Sequence, residues 1–222
     1  MSQTLVGVVV ALGALLVIWY LVGNEVMRRR GRTLAVWCKR ALDPLGGRQA
    51  IQWITTHSFR LEVQGLKPPF TEGSLTGLAE SWDVPMIWAI NRINGRRDMV
   101  LLQLGLRQQP IWGLELYRPG SVLAGDARHA AAQERWTESP LSSFRLASAG
   151  GELPRRLAND LISELGDQAK NLVRLSIRRQ GMHLTLAMNV PDRSSLSPDG
   201  FARLVHQLSR ATLRYATPPP PG

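Results

Sequence analysis

Leu5–Gly23 is a run of nineteen residues without one charged side chain, and Arg28, Arg29, Arg30 and Arg32 follow directly. At about 1.5 Å of rise per residue, a helix of this length covers most of a ~30 Å hydrocarbon core. Asn24 and Glu25 close the run, with Trp19 and Tyr20 near its end, where amphipathic rings favour the headgroup level. A cleaved signal peptide needs a basic leading segment, a shorter apolar core and a small-residue cleavage motif. Residues 1–4 carry no basic side chain and no Ala-x-Ala follows, so the expectation is an uncleaved anchor seated in lipid through residues 5–23.

Orientation follows from the Lys/Arg asymmetry. The leading flank has none, whereas the trailing flank has Arg28, Arg29, Arg30, Arg32, Lys39 and Arg40. The positive-inside rule then predicts a single-pass protein of the cell membrane, with its N-terminus outside and residues 24–222 in the cytoplasm. The lone cysteine, Cys38, cannot form an internal disulfide and implies no oxidising compartment.

The formal net charge of +10 raises the question of nucleic acid. Its distribution argues against that reading. Asn24–Arg48 holds seven Lys/Arg and two acids, and residues 49–222 hold twenty and fifteen. Half the excess therefore lies beside the anchor, where topology and anionic headgroups account for it. The other half is spread over a whole domain, a poor footprint for DNA or RNA.

Beyond the anchor the periodicity changes several times. Leu34, Trp37, Cys38, Ala41 and Leu45 share a helix face, predicting a basic juxtamembrane helix that continues the anchor or lies in the interface, with the linker ending at residue 47. Strands are predicted around Ile51–Thr55 and Phe59–Val63, and residues 71–80 suit either a strand or a short helix. Asp83 as N-cap, Pro85 in the first turn, the stripe Met86, Ile87, Ile90, Ile93 and then Gly95 predict a capped helix. Val100–Leu106 and Trp112–Leu116 alternate and are expected to form a hairpin. Residues 118–133 read as a connection. Short strands at 135–138 and 143–147, a helix striped by Leu153, Leu157, Leu161 and Leu165, and strands at 173–177 and 182–190 follow. A last helix begins at Ser197-Pro198-Asp199 and is lined by Phe201, Leu204, Val205, Leu208 and Tyr215.

The prediction is an α+β fold: one transmembrane helix, then mainly antiparallel sheet with two to four packed helices, the helices on one face. A first half spans 48–117 and a second half 134–216, with a duplicated ββαββ unit as one option. The Pro-rich tail, 217–222, is expected to be disordered.

Chemistry is harder to place. His57, His129, His183 and His206 show no metal-ligand spacing, and phosphate-binding loops and nucleophile elbows are missing. No catalytic residue, cofactor or metal ligand is assigned. The acids Asp160 and Glu164 on the second-half helix read as a solvated face. An anion-binding patch is the one candidate site, with Arg92, Arg96 and Arg97 in one turn and Arg178 and Arg179 in the analogous turn. Trp37, Trp53, Trp82, Trp88, Trp112 and Trp136 are not interleaved with basic residues, as nucleic-acid stacking platforms are. Three functions stay open. The first is a non-enzymatic adaptor, assembly factor or accessory subunit with a protein partner in the membrane or at its cytoplasmic face. The second is recognition of anionic lipid or nucleic acid through the basic turns. The third is an enzyme whose site, drawn from His57, His129, His183, Glu115 and Asp98, assembles only on folding.

Overall fold

The computed structural model describes residues 3–80, 85–93, 97–190 and 196–214. The proposed caps Asp83 and Gly95, Trp82, Tyr215 and the Pro-rich tail lie outside them.

The chain opens with one unbroken helix, α1 (Gln3–Leu42), followed by a short 3-10 turn, Asp43–Leu45. Its two halves meet different surroundings. Val6 to Ile18 is exposed throughout, whereas Met27, Leu34, Trp37, Cys38, Ala41 and Leu42 are each at most 6% exposed. The apolar face of the juxtamembrane segment therefore packs into the protein, and its interfacial placement is not what forms. A stripe of this width finds a drier surface against the sheet than among headgroups.

Nine strands follow: β1 (Arg48–Trp53), β2 (Ser58–Gln64), β3 (Phe70–Leu78), β4 (Met99–Leu106), β5 (Leu114–Tyr117), β6 (Thr137–Leu141), β7 (Phe144–Ser148), β8 (Leu172–Ile177) and β9 (Leu184–Asn189). They form one sheet in the order β1-β2-β3-β4-β9-β8-β5-β7-β6, every pairing antiparallel. Interspersed are α2 (Pro85–Ile93), α3 (Ala124–Gln133), α4 (Glu152–Leu165) and α5 (Pro198–Arg214). The α+β class read from the sequence is the fold observed. At the start of α5, Ser197 Oγ accepts the Gly200 N–H at 3.1 Å and Pro198 occupies the first helical position.

Two expectations need correction. β4 and β5 are not a hairpin: β4 pairs with β3 and β9, and β5 pairs with β7 and β8. Alternation fixes which face of a strand is buried and leaves its neighbour open, and the β8–β9 hairpin inserts between the two. The stretch 118–133 also contains helix α3, whose buried residues Ala124, Ala127, Ala130 and Ala131 are too small to stand out as an apolar stripe.

Register places leucines in a row across the sheet. Leu61, Leu75, Leu102, Leu186, Leu175, Leu116 and Leu146 are successive cross-strand partners, all at most 2% exposed. Helices α1, α4 and α5 cover this row, and the Trp37 and Phe201 rings meet edge-on at 5.4 Å between α1 and α5. The adjacent row points to the other face and is polar: Glu62, Ser74, Gln103, Thr185, Ser176 and Glu115. Helix α3 lies on that side, where Tyr117, Ala124 and Ala127 make a small second cluster. Three helices thus cover the leucine face and α3 the polar one.

Gly77 in β3 shows how closely the leucine side is packed. A Cβ there would collide with the far edge of the Phe59 ring. Gly77→Ala is therefore expected to cost about 1–3 kcal/mol by overpacking, read as a lowered thermal midpoint. A second change, Phe59→Leu, should recover part of the loss.

Candidate functional site

Two regions of the molecule concentrate charge. The first is the stretch of α1 that follows the apolar run. This helix is the one among the described residues long and apolar enough to cross a membrane. Of the residues flanking its end, Tyr20 is exposed and Trp19 half-buried. Arg29 pairs with Glu25 at 2.8 Å, and that hydrogen bond, with the Arg29 charge, holds the exposed Glu25 carboxyl below its usual pKa. Arg28 and Arg32 line a groove of about 460 Å³ with Trp53, Ile54, Thr55 and Thr56 of the β1–β2 turn. Arg30 behaves differently. Its Nη2 donates to both carboxylate oxygens of Asp98, at 3.1 and 3.2 Å. Asp98 Oδ1 also accepts the Glu80 N–H at 2.7 Å, and the Asp98 carbonyl accepts the Val190 N–H at 2.6 Å. Arg30 therefore fastens α1 to the ends of β3, β4 and β9, and the other arginines remain as the collar.

The second region is on the polar face of the sheet. Glu115 is fully buried and accepts four hydrogen bonds: Arg174 Nε on Oε2 at 2.8 Å, then Arg174 Nη2 at 2.8 Å, Ser176 Oγ at 2.7 Å and Arg178 Nη2 at 3.2 Å on Oε1. The Arg174 contact is the bidentate fork of a strong ion pair. Strand alternation brings these groups together, because residues 174, 176 and 178 share the side of β8 on which Glu115 of β5 sits. The sequence shows Arg174, Ser176 and Arg178 alternating with apolar residues, which reads as a solvated face. Only the pairing of β5 with β8 reveals the buried partner.

Among the described residues, Arg97, Arg178 and Arg179 of the proposed anion patch are not brought together. Arg97 lies near the Met99–Asn189 end of the β4–β9 pair, and Arg178 and Arg179 follow Ile177, near the Leu104–Leu184 end. Five residues of strand separate the two ends, about 17 Å. Arg96 is outside the described residues, Arg97 has partners of its own, and Arg178 is held by Glu115.

The histidines do not converge either. His57 is in the β1–β2 turn, and His129 on α3 meets Gln133 at 3.1 Å. His206 lies on α5 with its ring 5.2 Å from that of Phe70. His183 Nδ1 accepts the Leu106 N–H at 2.8 Å. Glu115 and Asp98 belong to the two ion-pair clusters just described. Among the described residues, no three His, Cys, Asp or Glu side chains are grouped to hold a metal ion.

The histidines do give a pH dependence. Burial lowers the His183 pKa, and burial followed by the Arg210 charge lowers that of His206. As pH falls below the unfolded value of about 6.5, the unfolded chain takes up protons before the folded one does. Stability is therefore complete above that value and declines as pH drops towards the folded pKa values. Thermal midpoints should fall between neutral pH and about pH 5. His183→Gln should flatten that slope.

No protein-family model matches this chain, and no curated protein matches it.

Proposed function

We propose that the protein is a single-pass, non-enzymatic adaptor, assembly factor or accessory subunit of the cell membrane. Its N-terminus lies outside, and the α+β domain faces the cytoplasm and holds a protein partner near the bilayer. The observation that carries this reading is the double use of α1. One helix is bare and apolar over Val6–Ile18 and is core to the domain from Met27 to Leu42. A domain joined to its anchor in this way has little freedom to swing, which suits a part that must present one surface at a set height and angle. The arginine flank supports the cytoplasmic orientation.

The edge of the sheet supports a place for the partner. β6 is an edge strand blunted by Pro140, whereas β1 is an edge without proline, on which Ile51 and Trp53 are 48% and 44% exposed. Beside it an apolar groove of about 320 Å³ runs between β1 and α1, lined by Val36, Ile51, Trp53 and Leu61 among others. An extended apolar segment of a partner fits there as an added strand, its backbone satisfied by the β1 edge. The test is a photo-crosslinking residue placed at Ile51 or Val36 in native membranes, with a third at Arg179 as control. A discrete heavier adduct from Ile51 and Val36, and none from Arg179, is expected. The absence of any adduct from both, together with recovery of the protein alone after gentle extraction, overturns the reading.

A further inference from the structure

Strand β1 runs beside α1 in the opposite direction. At its start, Gln49 Nε2 donates to the Lys39 carbonyl at 3.3 Å and to Asp43 Oδ1 at 2.8 Å. At its end, a Cβ on Gly31 would stand 3.4 Å from the Trp53 ring. The two lengths agree: Gly31 to Lys39 is about 12 Å of helix, and Gln49 to Trp53 is about 13 Å of strand.

The free edge can be read residue by residue. Ile54 N–H donates to the Ser58 carbonyl at 3.0 Å, and Gln52, Ala50 and Arg48 follow at every second position of the same register with β2. In an antiparallel ladder these residues turn their backbone groups to β2, and those of Gln49, Ile51 and Trp53 point outwards. The side chains of the same three residues line the groove beside Arg32, Val36 and Lys39 of α1. Ile51 is the cross-strand partner of Leu61, so it continues the buried leucine row by one strand and is left half uncovered. Val36, 52% exposed, shares the groove with it.

Charge decides what fits there. Arg32 and Lys39 flank Val36 on the exposed side of α1, level with Trp53 and Gln49 respectively. Neither side chain has a hydrogen bond or ion pair among the described residues. The groove is lined by both cations and no acid. Asp43, one turn beyond Lys39, is already bonded to Gln49.

We propose that the β1 edge receives, as an added strand, a partner segment of the pattern acid–x–apolar–x–acid. The apolar residue stands opposite Ile51 and lies on Val36. The two acids, two positions away on either side, reach Lys39 and Arg32, and the intervening residues point to the polar face of the sheet. The segment's backbone bonds to Gln49, Ile51 and Trp53. A second copy of the chain does not supply this chemistry, because β1 contains no acid. Two β1 strands paired antiparallel would also point their α1 helices in opposite directions. This inference rests on the reading that a partner occupies this edge, and it adds the chemistry by which the partner is recognised.

The experiment uses the full chain in micelles of an uncharged detergent. The probe is the peptide Ser-Glu-Thr-Val-Thr-Glu-Ser carrying a neutral dye, and binding is read by fluorescence anisotropy. Three altered peptides are compared with it: one with both Glu replaced by Lys, one with Val replaced by Ser, and one N-methylated at Val. The Glu peptide is expected to bind, and the Lys peptide to bind roughly tenfold more weakly. The Ser peptide has the charge of the Glu peptide, so its weaker binding separates the site from attraction to a net positive chain. N-methylation should abolish binding by removing the donor to the β1 edge. Arg32→Glu with Lys39→Glu, both exposed positions, should reverse the order of the Glu and Lys peptides. Equal binding of those two, or an order that survives the charge reversal, overturns the inference. So does the absence of binding by all four. If Ile51 then still gives a discrete adduct with another protein in native membranes, the edge reading stands and the recognition pattern alone falls. An adduct joining two copies of this chain would make a second copy the occupant and overturn the inference.

Discussion

Replacement of Glu115 by alanine is expected to lower folding stability by about 3–5 kcal/mol, the usual cost of leaving one half of a buried ion pair uncompensated. Arg174 has only 14% of its side chain exposed and depends on the Glu115 fork. Ser176 would lose its acceptor at the same time. Against a total stability of about 5–15 kcal/mol, the loss brings the variant close to unfolding at physiological temperature. Arg178, with 36% of its side chain exposed, contributes less, because water can replace its contact at 3.2 Å. The measurement is the thermal midpoint of the full chain in detergent micelles. Arg178→Ala should shift it far less than Glu115→Ala. A joint Glu115→Leu and Arg174→Met change should recover much of the loss, since an apolar replacement leaves no buried charge. An unchanged midpoint in Glu115→Ala would show that the cluster is solvated and contributes little.

The cluster also marks a limit of what the sequence reveals. Arg174, Ser176 and Arg178 alternate with buried Val173, Leu175 and Ile177 in a pattern that predicts a strand correctly. The same pattern suggests a wet outer face, because the acid that covers it lies 59 residues earlier in the chain. Arg30 is a second case. It is indistinguishable from its neighbours in the run 28–32, yet it reaches Asp98, 68 positions away. Local periodicity recovered β2, α4 and α5 because each has large apolar residues on one face only. It was ambiguous for β3, whose Gly73 and Gly77 are selected by the space left beside Leu104 and Phe59, not by propensity. The apolar run and its arginine collar were legible because composition alone defines them. The groove between β1 and α1 was not, since exposure is a property of the assembled fold.

A fragment starting at residue 48, where the first strand begins, is expected not to fold. It lacks Met27, Leu34, Trp37, Cys38, Ala41, Leu42 and Leu45, each at most 6% exposed and all in the main core. Burial of one large apolar side chain contributes about 1.5–3 kcal/mol. The five larger members of that set together contribute about 7.5–15 kcal/mol, as much as the whole stability of an ordinary domain, about 5–15 kcal/mol. Their removal also uncovers Phe201, which packs on Trp37, and one side of the leucine row. Residues 48–222 should therefore aggregate or bind hydrophobic dyes without a cooperative thermal transition. Residues 26–222 retain every member of that set and lose the apolar run with its short flanks, so they should melt cooperatively. Equal transitions in the two fragments would mean that α1 is dispensable to the core. Failure of both would mean that the apolar run itself, held in lipid or detergent, is needed to nucleate the lower half of the helix. The expected result places the working boundary of the domain inside α1, near the arginines: the last turns before the sheet belong to the core, and the apolar run cannot be exchanged without keeping the helix in register on Arg30 and Asp98.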